Sequence, residues 1–157
     1  VHLEGQLLRH LPLEAVGEEC SSEADALDHV WGVVPILDQT AEDILQRNPR
    51  FLTRSKNFPT FFAFGPQLVP LHEVGVLADL EVQTVHNGVV HRRNRVSNMT
   101  FPPEFLVSFH SEVMPLFPGD IISTGTPGAV VLAGGDVVES RIPGVGSLRN
   151  LVVSGAR

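Results

Sequence analysis

The stretch PGDIISTGTPGAV, residues 118–130, joins a short apolar run to a loop of small residues. It has neither the Lys-Ser/Thr ending of a P-loop nor a Gly-x-Gly-x-x-Gly pattern leading into a helix, so it does not indicate a nucleotide site. Backbone N–H groups and the hydroxyls of Thr124 and Thr126 could instead surround a carboxylate. Taken alone, however, the stretch is more typical of a tight turn.

The sequence on either side of this stretch predicts strands with a few short helices between them. The Asn-Gly turn at 87–88 indicates a hairpin whose first strand is predicted at 77–85. Other strands are predicted at 119–124, 135–142 and 146–154, and helices at 22–31, 40–47 and 102–114. Since no regular βαβ alternation occurs, the fold class is α+β and β-rich. The helix at 102–114 is predicted to bury an apolar stripe of Phe105, Leu106, Phe109 and Val113.

The composition is that of one globular domain over residues 1–157. A formal net charge of −7 disfavours broad binding to nucleic acid or to an anionic membrane surface. No apolar run approaches the ~20 residues that a membrane helix needs. The single cysteine, Cys20, excludes an intrachain disulfide, and we therefore expect a reducing, cytoplasmic location.

Two polar side chains and one short strand could take part in chemistry. Asp38 ends an apolar segment, where a carboxylate needs a partner or a metal, although a helix N-cap is favoured because TAEDIL follows. Lys56 precedes the aromatic run FPTFFAFGP. A role as a substrate contact or acid–base group and a role as an ordinary surface lysine are equally supported by this pattern. If VHLEGQLLRH is a strand, the side chains of His2, Glu4 and Gln6 lie on one face. This row could form part of a cation site or could be an ordinary solvated face.

Eight short motifs follow one another along the chain, in the order HLEGQL, DQTAED, SKNF, FGP, HNG, NMTF, PGDIISTGTPG and GGDVVESRIPGVG. In this order, and over nearly the whole chain, they resemble the fumarylacetoacetate hydrolase (FAH) family. The resemblance implies a mixed β-roll that usually forms a homodimer and binds Mg²⁺ or Mn²⁺. It also implies an enzyme for a small carboxylate substrate, which cleaves C–C bonds beside carbonyls, decarboxylates oxo-diacids or isomerises 2-hydroxy-dienoates.

By this resemblance, the family's metal ligands fall on Glu4, Gln6 and Asp38, and its catalytic lysine falls on Lys56. Such oxygen ligands suit a hard divalent cation, which can polarise an oxo-acid and stabilise the enolate formed from it. Lys56 would add positive charge beside that oxygen or carry a proton. Gln6 stands where the family has a second glutamate, so we expect weaker metal binding than is typical of the family.

The family's substrate-binding loop falls on Thr124, Gly125 and Thr126, and the resemblance assigns the substrate carboxylate to Thr126. Two further positions depart from the family pattern, since Glu42 replaces an arginine and Leu45 replaces a glutamine. We also expect the chain to lack the lid segment that the family carries upstream of the HLEGQL strand. The sequence thus favours a divalent-metal enzyme, with a catalytically impaired small-acid-binding or structural dimer protein as the alternative.

Overall fold

The computed structural model describes the backbone of residues 5–9 and the whole of residues 22–154. These residues contain nine strands: β1 (Gly5–Arg9), β2 (Val30–Asp38), β3 (Phe62–Phe64), β4 (Val69–Pro70), β5 (Glu81–His86), β6 (Val89–Arg95), β7 (Ile121–Ser123), β8 (Val137–Ile142) and β9 (Gly146–Leu151). Four short α-helices lie between them: α1 (Glu42–Arg47), α2 (Leu52–Lys56), α3 (Leu71–Val74) and α4 (Pro103–Val113). Single 3₁₀ turns occur at Ala26–His29, Leu77–Asp79 and Val96–Asn98.

The strands form two antiparallel sheets. One sheet has the order β3-β2-β1-β7, with β4 also pairing with β2, and the other has the order β6-β5-β8-β9. The predicted hairpin joins β5 to β6, where Asn87 and Gly88 have φ angles of 50° and 82°. Both values lie in the left-handed region that a two-residue hairpin turn requires, which explains the Asn-Gly sequence. The α+β, β-rich prediction is confirmed.

The core lies between the two sheets and beneath α4. Leu37 of β2 and Val138 of β8 are both fully buried and pack in one cluster. A larger cluster brings Val33 of β2 together with Val107 of α4 and Ile142 of β8. Strand β2 is covered on both faces, which is why its sequence VWGVVPILD is almost continuously apolar rather than alternating.

The prediction of a helix at 22–31 is wrong over most of that range. Only a 3₁₀ turn forms there, at Ala26–His29, and Val30 already begins β2. β-Branched residues favour an extended backbone, and β2 pairs with β1 on one side and with β3 and β4 on the other. The strand predicted at 77–85 likewise starts late, because a 3₁₀ turn occupies Leu77–Asp79 before β5.

Helix α4 has the predicted position but buries a different face. Its buried residues include Val107, Ser108 and Ser111, whereas Phe109 and Val113 are 46% and 64% exposed. The predicted apolar stripe is therefore wrong at Phe109 and Val113, whereas Leu106 packs against the core and Phe105 is half-buried. The helix packs against the 3₁₀ turn at Ala26–His29, and Val107 and Ala26 belong to the same buried cluster. None of the helices in the described part of the chain is long and apolar enough to cross a bilayer.

Candidate functional site

Asp38 and Lys56 form an ion pair at one end of the first sheet. Asp38 is the last residue of β2 and lies opposite Phe62 of β3, and Lys56 is the last residue of α2. The distance from Lys56 Nζ to Asp38 Oδ2 is 2.6 Å. The N-cap interpretation of Asp38 is wrong, because Ala41 occupies the N-cap position of α1. The structure thus brings together two residues that the sequence could only nominate separately.

Ser55 anchors the end of α2 and thereby positions Lys56. Its side chain is fully buried, and its hydroxyl donates a hydrogen bond to the Leu52 carbonyl oxygen at 2.8 Å. Its own carbonyl oxygen accepts a hydrogen bond from the Ala41 N–H, also at 2.8 Å. Helix α2 is therefore tied to the segment that follows β2, which fixes the distance between Lys56 and Asp38.

The pair is partly shielded from solvent. The side chains of Lys56 and Asp38 are 27% and 17% exposed. Lys56 donates to one carboxylate oxygen, and Oδ1 has no hydrogen-bond partner within residues 22–154. A carboxylate in this setting suits a cation or another hydrogen-bond donor, because a half-buried charge gains from each additional partner.

The predicted metal ligands are only partly within the described residues. Glu4 lies outside them, and for Gln6 only the backbone is described, opposite Val34 of β2 and Ser123 of β7. Asp38 lies four residues beyond Val34, about 13 Å along a strand, so the described backbone does not by itself place Gln6 and Asp38 around one ion. Within residues 22–154, no group of three His, Cys, Asp or Glu side chains could hold a metal ion. The metal site therefore stays a prediction, with Asp38 as its one ligand whose side chain is described.

The predicted substrate loop follows β7 directly and is held by the second sheet. The Gly128 N–H donates to the Thr126 hydroxyl at 3.2 Å, and the Thr84 hydroxyl of β5 donates to the Gly128 carbonyl oxygen at 3.2 Å. Gly125 has a φ of 115°, which a residue with a side chain rarely adopts. Carboxylate binding by this loop stays a prediction.

The two other departures from the family pattern lie on α1. Glu42 is its first residue, is solvent-exposed and makes no ion pair within residues 22–154, and Leu45 is half-buried. Glu42 lines an open cavity of about 1000 Å³ that also includes Thr40. The Thr40 hydroxyl is buried and has no hydrogen-bond partner among the described residues. Sequence analysis missed Thr40, although it stands inside the DQTAED motif.

Comparison with known proteins identifies the family. The family model described as "Fumarylacetoacetate (FAA) hydrolase C-terminal" matches residues 13–153. The chain belongs to the fumarylacetoacetate hydrolase family. The match includes Asp38, Lys56 and the loop at 124–126, and it begins after Glu4 and Gln6.

Among curated FAH-family relatives, an uncharacterized protein of Methanocaldococcus jannaschii (MJ1656) is 39% identical over 140 residues, which is 87% of this chain and 57% of that protein. The 4-hydroxyphenylacetate degradation bifunctional isomerase/decarboxylase of Salmonella dublin is 35% identical over 133 residues, 85% of this chain and 31% of that protein. The chain thus spans little more than half of the first relative and a third of the second.

A solved FAH-family structure shares the fold over nearly the whole chain. The X-ray structure of 5-carboxymethyl-2-hydroxymuconate delta-isomerase from Mycobacterium smegmatis matches with a TM-score of 0.87 at 31% identity, and the match covers 99% of this chain and 60% of that one. The two-sheet architecture that positions Asp38 and Lys56 is therefore the FAH-family fold.

Proposed function

We propose that the chain is the catalytic part of an isomerase or decarboxylase that acts on a small oxo- or hydroxy-carboxylate with the help of Mg²⁺ or Mn²⁺. The observation that carries this proposal is the 2.6 Å contact between Lys56 and Asp38. It holds an ammonium group beside a carboxylate with one oxygen that has no partner within residues 22–154, at the end of strand β2. The family of this chain has isomerase and decarboxylase members.

The residues at this site fit a divalent cation in the nature of their donors. Asp38 would hold the ion together with Glu4 and Gln6, all through oxygen atoms, as a hard cation requires. When bound, the ion supplies positive charge that stabilises negative charge developing on an oxo-acid oxygen. Because Asp38 also accepts a hydrogen bond from Lys56, metal and lysine would share one carboxylate.

Lys56 has two chemical roles available at this position. Its ammonium group can stabilise an enolate oxygen, and its proton can move to or from the carbon next to the oxo group. Asp38 restricts where the ammonium group lies, so that Lys56 is oriented before a substrate arrives. The hydroxyls and N–H groups of the loop at 124–126 would hold the carboxylate of the substrate.

Solvent exchange tests the proposal directly. An enolising enzyme should exchange the C3 hydrogens of oxaloacetate for deuterium in D₂O with Mg²⁺ or Mn²⁺ present, as measured by ¹H NMR. The rate is compared with that of the same solution without protein, because oxaloacetate also enolises unaided. Lys56→Gln should lower the rate at least about 100-fold, whereas the matched change Arg54→Gln on the same helix should leave it within about twofold. If oxaloacetate, pyruvate and a 2-hydroxy-dienoate all exchange no faster than without protein, the enzyme hypothesis is excluded.

The substitutions at positions 6, 42 and 45 favour a second candidate function, which is the binding of a small acid without turnover. Gln6 lowers the ligand charge of the predicted metal site, and Glu42 adds negative charge to α1. Calorimetric titration with Mg²⁺ or Mn²⁺ and oxalate, together with the exchange assay, distinguishes the two candidate functions. Oxalate binding without any hydrogen exchange would select the binding protein over the enzyme.

We also propose that the chain forms a homodimer, as the resemblance implies. The rings of Phe105 and Phe109 on α4 stack with each other and with Phe101 just before the helix, with centroid distances of 4.8 Å for 101–105 and 5.8 Å for 105–109. Phe101 and Phe109 are 53% and 46% exposed. An exposed apolar row of this kind is typical of an interface. Phe109→Glu should shift the sedimentation coefficient towards the monomer, and Phe51→Glu, at a residue that is 59% exposed elsewhere, should not.

A further inference from the structure

A groove lies at the start of β2, at the opposite end of this strand from the ion pair. It has a volume of about 490 Å³ and is lined in part by Trp31 and Asp28. None of Asp38, Lys56 and the loop at 124–126 lines it. Trp31 lies seven residues before Asp38, which corresponds to about 23 Å along a strand. The groove is therefore separate from the predicted catalytic and substrate-binding residues.

A β-bulge places Trp31 in this groove. Leu8 of β1 lies opposite Gly32 and Arg9 lies opposite Val30, so no residue of β1 lies opposite Trp31. A bulge leaves its extra residue outside the ladder and changes the direction of the side chain. Trp31 is accordingly 37% exposed, although the residues on either side of it in β2 are buried. Since tryptophan is a highly buried residue on average, this exposure points to contact with another molecule.

Strand β4 forms an apolar wall of the groove. Its Pro70 lies opposite Gly32 of β2, and a Cβ on Gly32 would lie only 2.1 Å from the Val69 carbonyl oxygen. Glycine is therefore required at position 32 for the two strands to approach this closely. Pro70 and Leu71, which follow this contact, line the groove together with Val30. Trp31 thus stands in an apolar surrounding that is open to solvent.

Asp28 gives the groove a negative charge. Its carboxylate has no hydrogen-bond or ion-pair partner within residues 22–154, and no described lysine or arginine lines the groove. His72 also lines the groove, and its Nε2 lies 3.7 Å from Glu73 Oε1, so a second carboxylate lies close by. A cation in the groove would meet negative charge without an opposing described lysine or arginine.

An aromatic ring beside a carboxylate is a combination that suits an organic ammonium group. The ring attracts the positive charge through its negative face, and the apolar walls accept alkyl groups bound to the nitrogen. A divalent metal ion fits less well, because it requires several oxygen ligands and Asp28 supplies the one carboxylate among the described lining residues.

We infer that this groove binds a small organic cation with an alkyl-substituted ammonium group, which lies against the Trp31 ring and pairs with Asp28. The inference stands without the proposed activity, because it involves neither Asp38 nor Lys56.

Fluorescence titration tests the site, because Trp31 is the single tryptophan of the chain and its emission reports on the groove. The probes are choline and 3,3-dimethyl-1-butanol, which has the same shape without the charge, titrated into the 157-residue chain at low salt. Choline should change the emission saturably and bind at least about tenfold more tightly than the alcohol. Asp28→Asn should reduce this preference at least about threefold. Glu23→Gln, which removes the same charge at an exposed residue that does not line the groove, should preserve it.

Three outcomes would overturn the inference: no saturable change with choline, equal affinities for the two probes, or equal effects of Glu23→Gln and Asp28→Asn. Trp31→Leu, measured by calorimetry because the fluorescence is lost, should also remove the preference for choline. If Trp31→Leu does not fold, Trp31→Phe should retain part of the preference, since the smaller ring still offers a negative face.

Discussion

Lys56 Nζ lies 2.6 Å from Asp38 Oδ2, across a separation of 18 residues in the chain. The contact joins the end of a buried strand to the end of a short helix, and both side chains are less than a third exposed. Two charges held this close, and partly shielded, should depend on each other energetically. The predicted chemistry of the site begins with this pair, because either partner alone would be a partly buried charge without compensation.

A double-mutant cycle measures that dependence. Asp38→Asn and Lys56→Gln should each lower the free energy of unfolding, because each leaves the partner's charge unpaired. The double variant should be about 1 kcal/mol more stable than the sum of the single effects predicts. Urea unfolding at neutral pH gives the values. Additive effects would show that the contact does not persist in solution.

Restoring the missing carboxylate at position 6 should strengthen metal binding. Gln6→Glu raises the charge of the predicted ligand set, so the affinity for Mn²⁺ or Mg²⁺ should increase about tenfold in calorimetric titration. Gln67→Glu adds the same charge at an exposed position between β3 and β4 and is the matched control. If both variants behave alike, residue 6 is not a metal ligand.

Acid should weaken the connection between the β5–β6 hairpin and the start of β8. The Asn87 amide donates to Asp136 Oδ1 at 2.9 Å, the Ala133 N–H donates to Oδ2 at 2.8 Å, and His86 Nε2 lies 3.0 Å from Oδ2. These contacts, the Asn87 hydrogen bond above all, lower the pKa of Asp136 from 3.8 to about 2. Since the pKa is lowered by folding, the stabilisation is complete above about pH 4 and disappears as the pH falls through 2.

Urea unfolding between pH 5 and about pH 2 checks this expectation. Asp136→Asn should flatten the decline of stability in that range, because the titrating group is gone. Asp79→Asn, at an exposed residue of the 3₁₀ turn before β5, should leave the decline as it is. An unchanged profile in Asp136→Asn would mean that other carboxyl groups cause the acid sensitivity.

Apolar packing between the two sheets should contribute strongly to the free energy of unfolding. Leu37 is fully buried and packs in one cluster with Val138 of the opposite sheet. Leu37→Ala should lower the free energy of unfolding by about 2–5 kcal/mol, through lost burial and the cavity it leaves. Leu151→Ala, at a residue of β9 that is 63% exposed, should cost less than about 0.5 kcal/mol. Similar losses would indicate that the sheets do not pack as described.

Local features of the fold were predictable because they depend on neighbouring residues. The hairpin at Asn87 and Gly88 follows from the positive φ angles that only a few residue types adopt readily. The positions of α1 and α4 also follow from local patterns. The buried face of α4 was not predictable, because apolar residues occur on several faces of this helix. Only its packing against the core and the turn at Ala26–His29 selects the face that contains Val107.

The ordered motifs of the sequence determined the family and nominated Asp38, Lys56 and the Thr-Gly-Thr loop, because each motif is a short run of residues with its own chemistry. Only the tertiary structure decided that Asp38 meets Lys56 rather than capping a helix, and that Trp31 lines a groove beside Asp28 and Pro70. These are choices between partners distant along the chain. They are made by the packing of sheets and helices, which no short stretch of sequence contains.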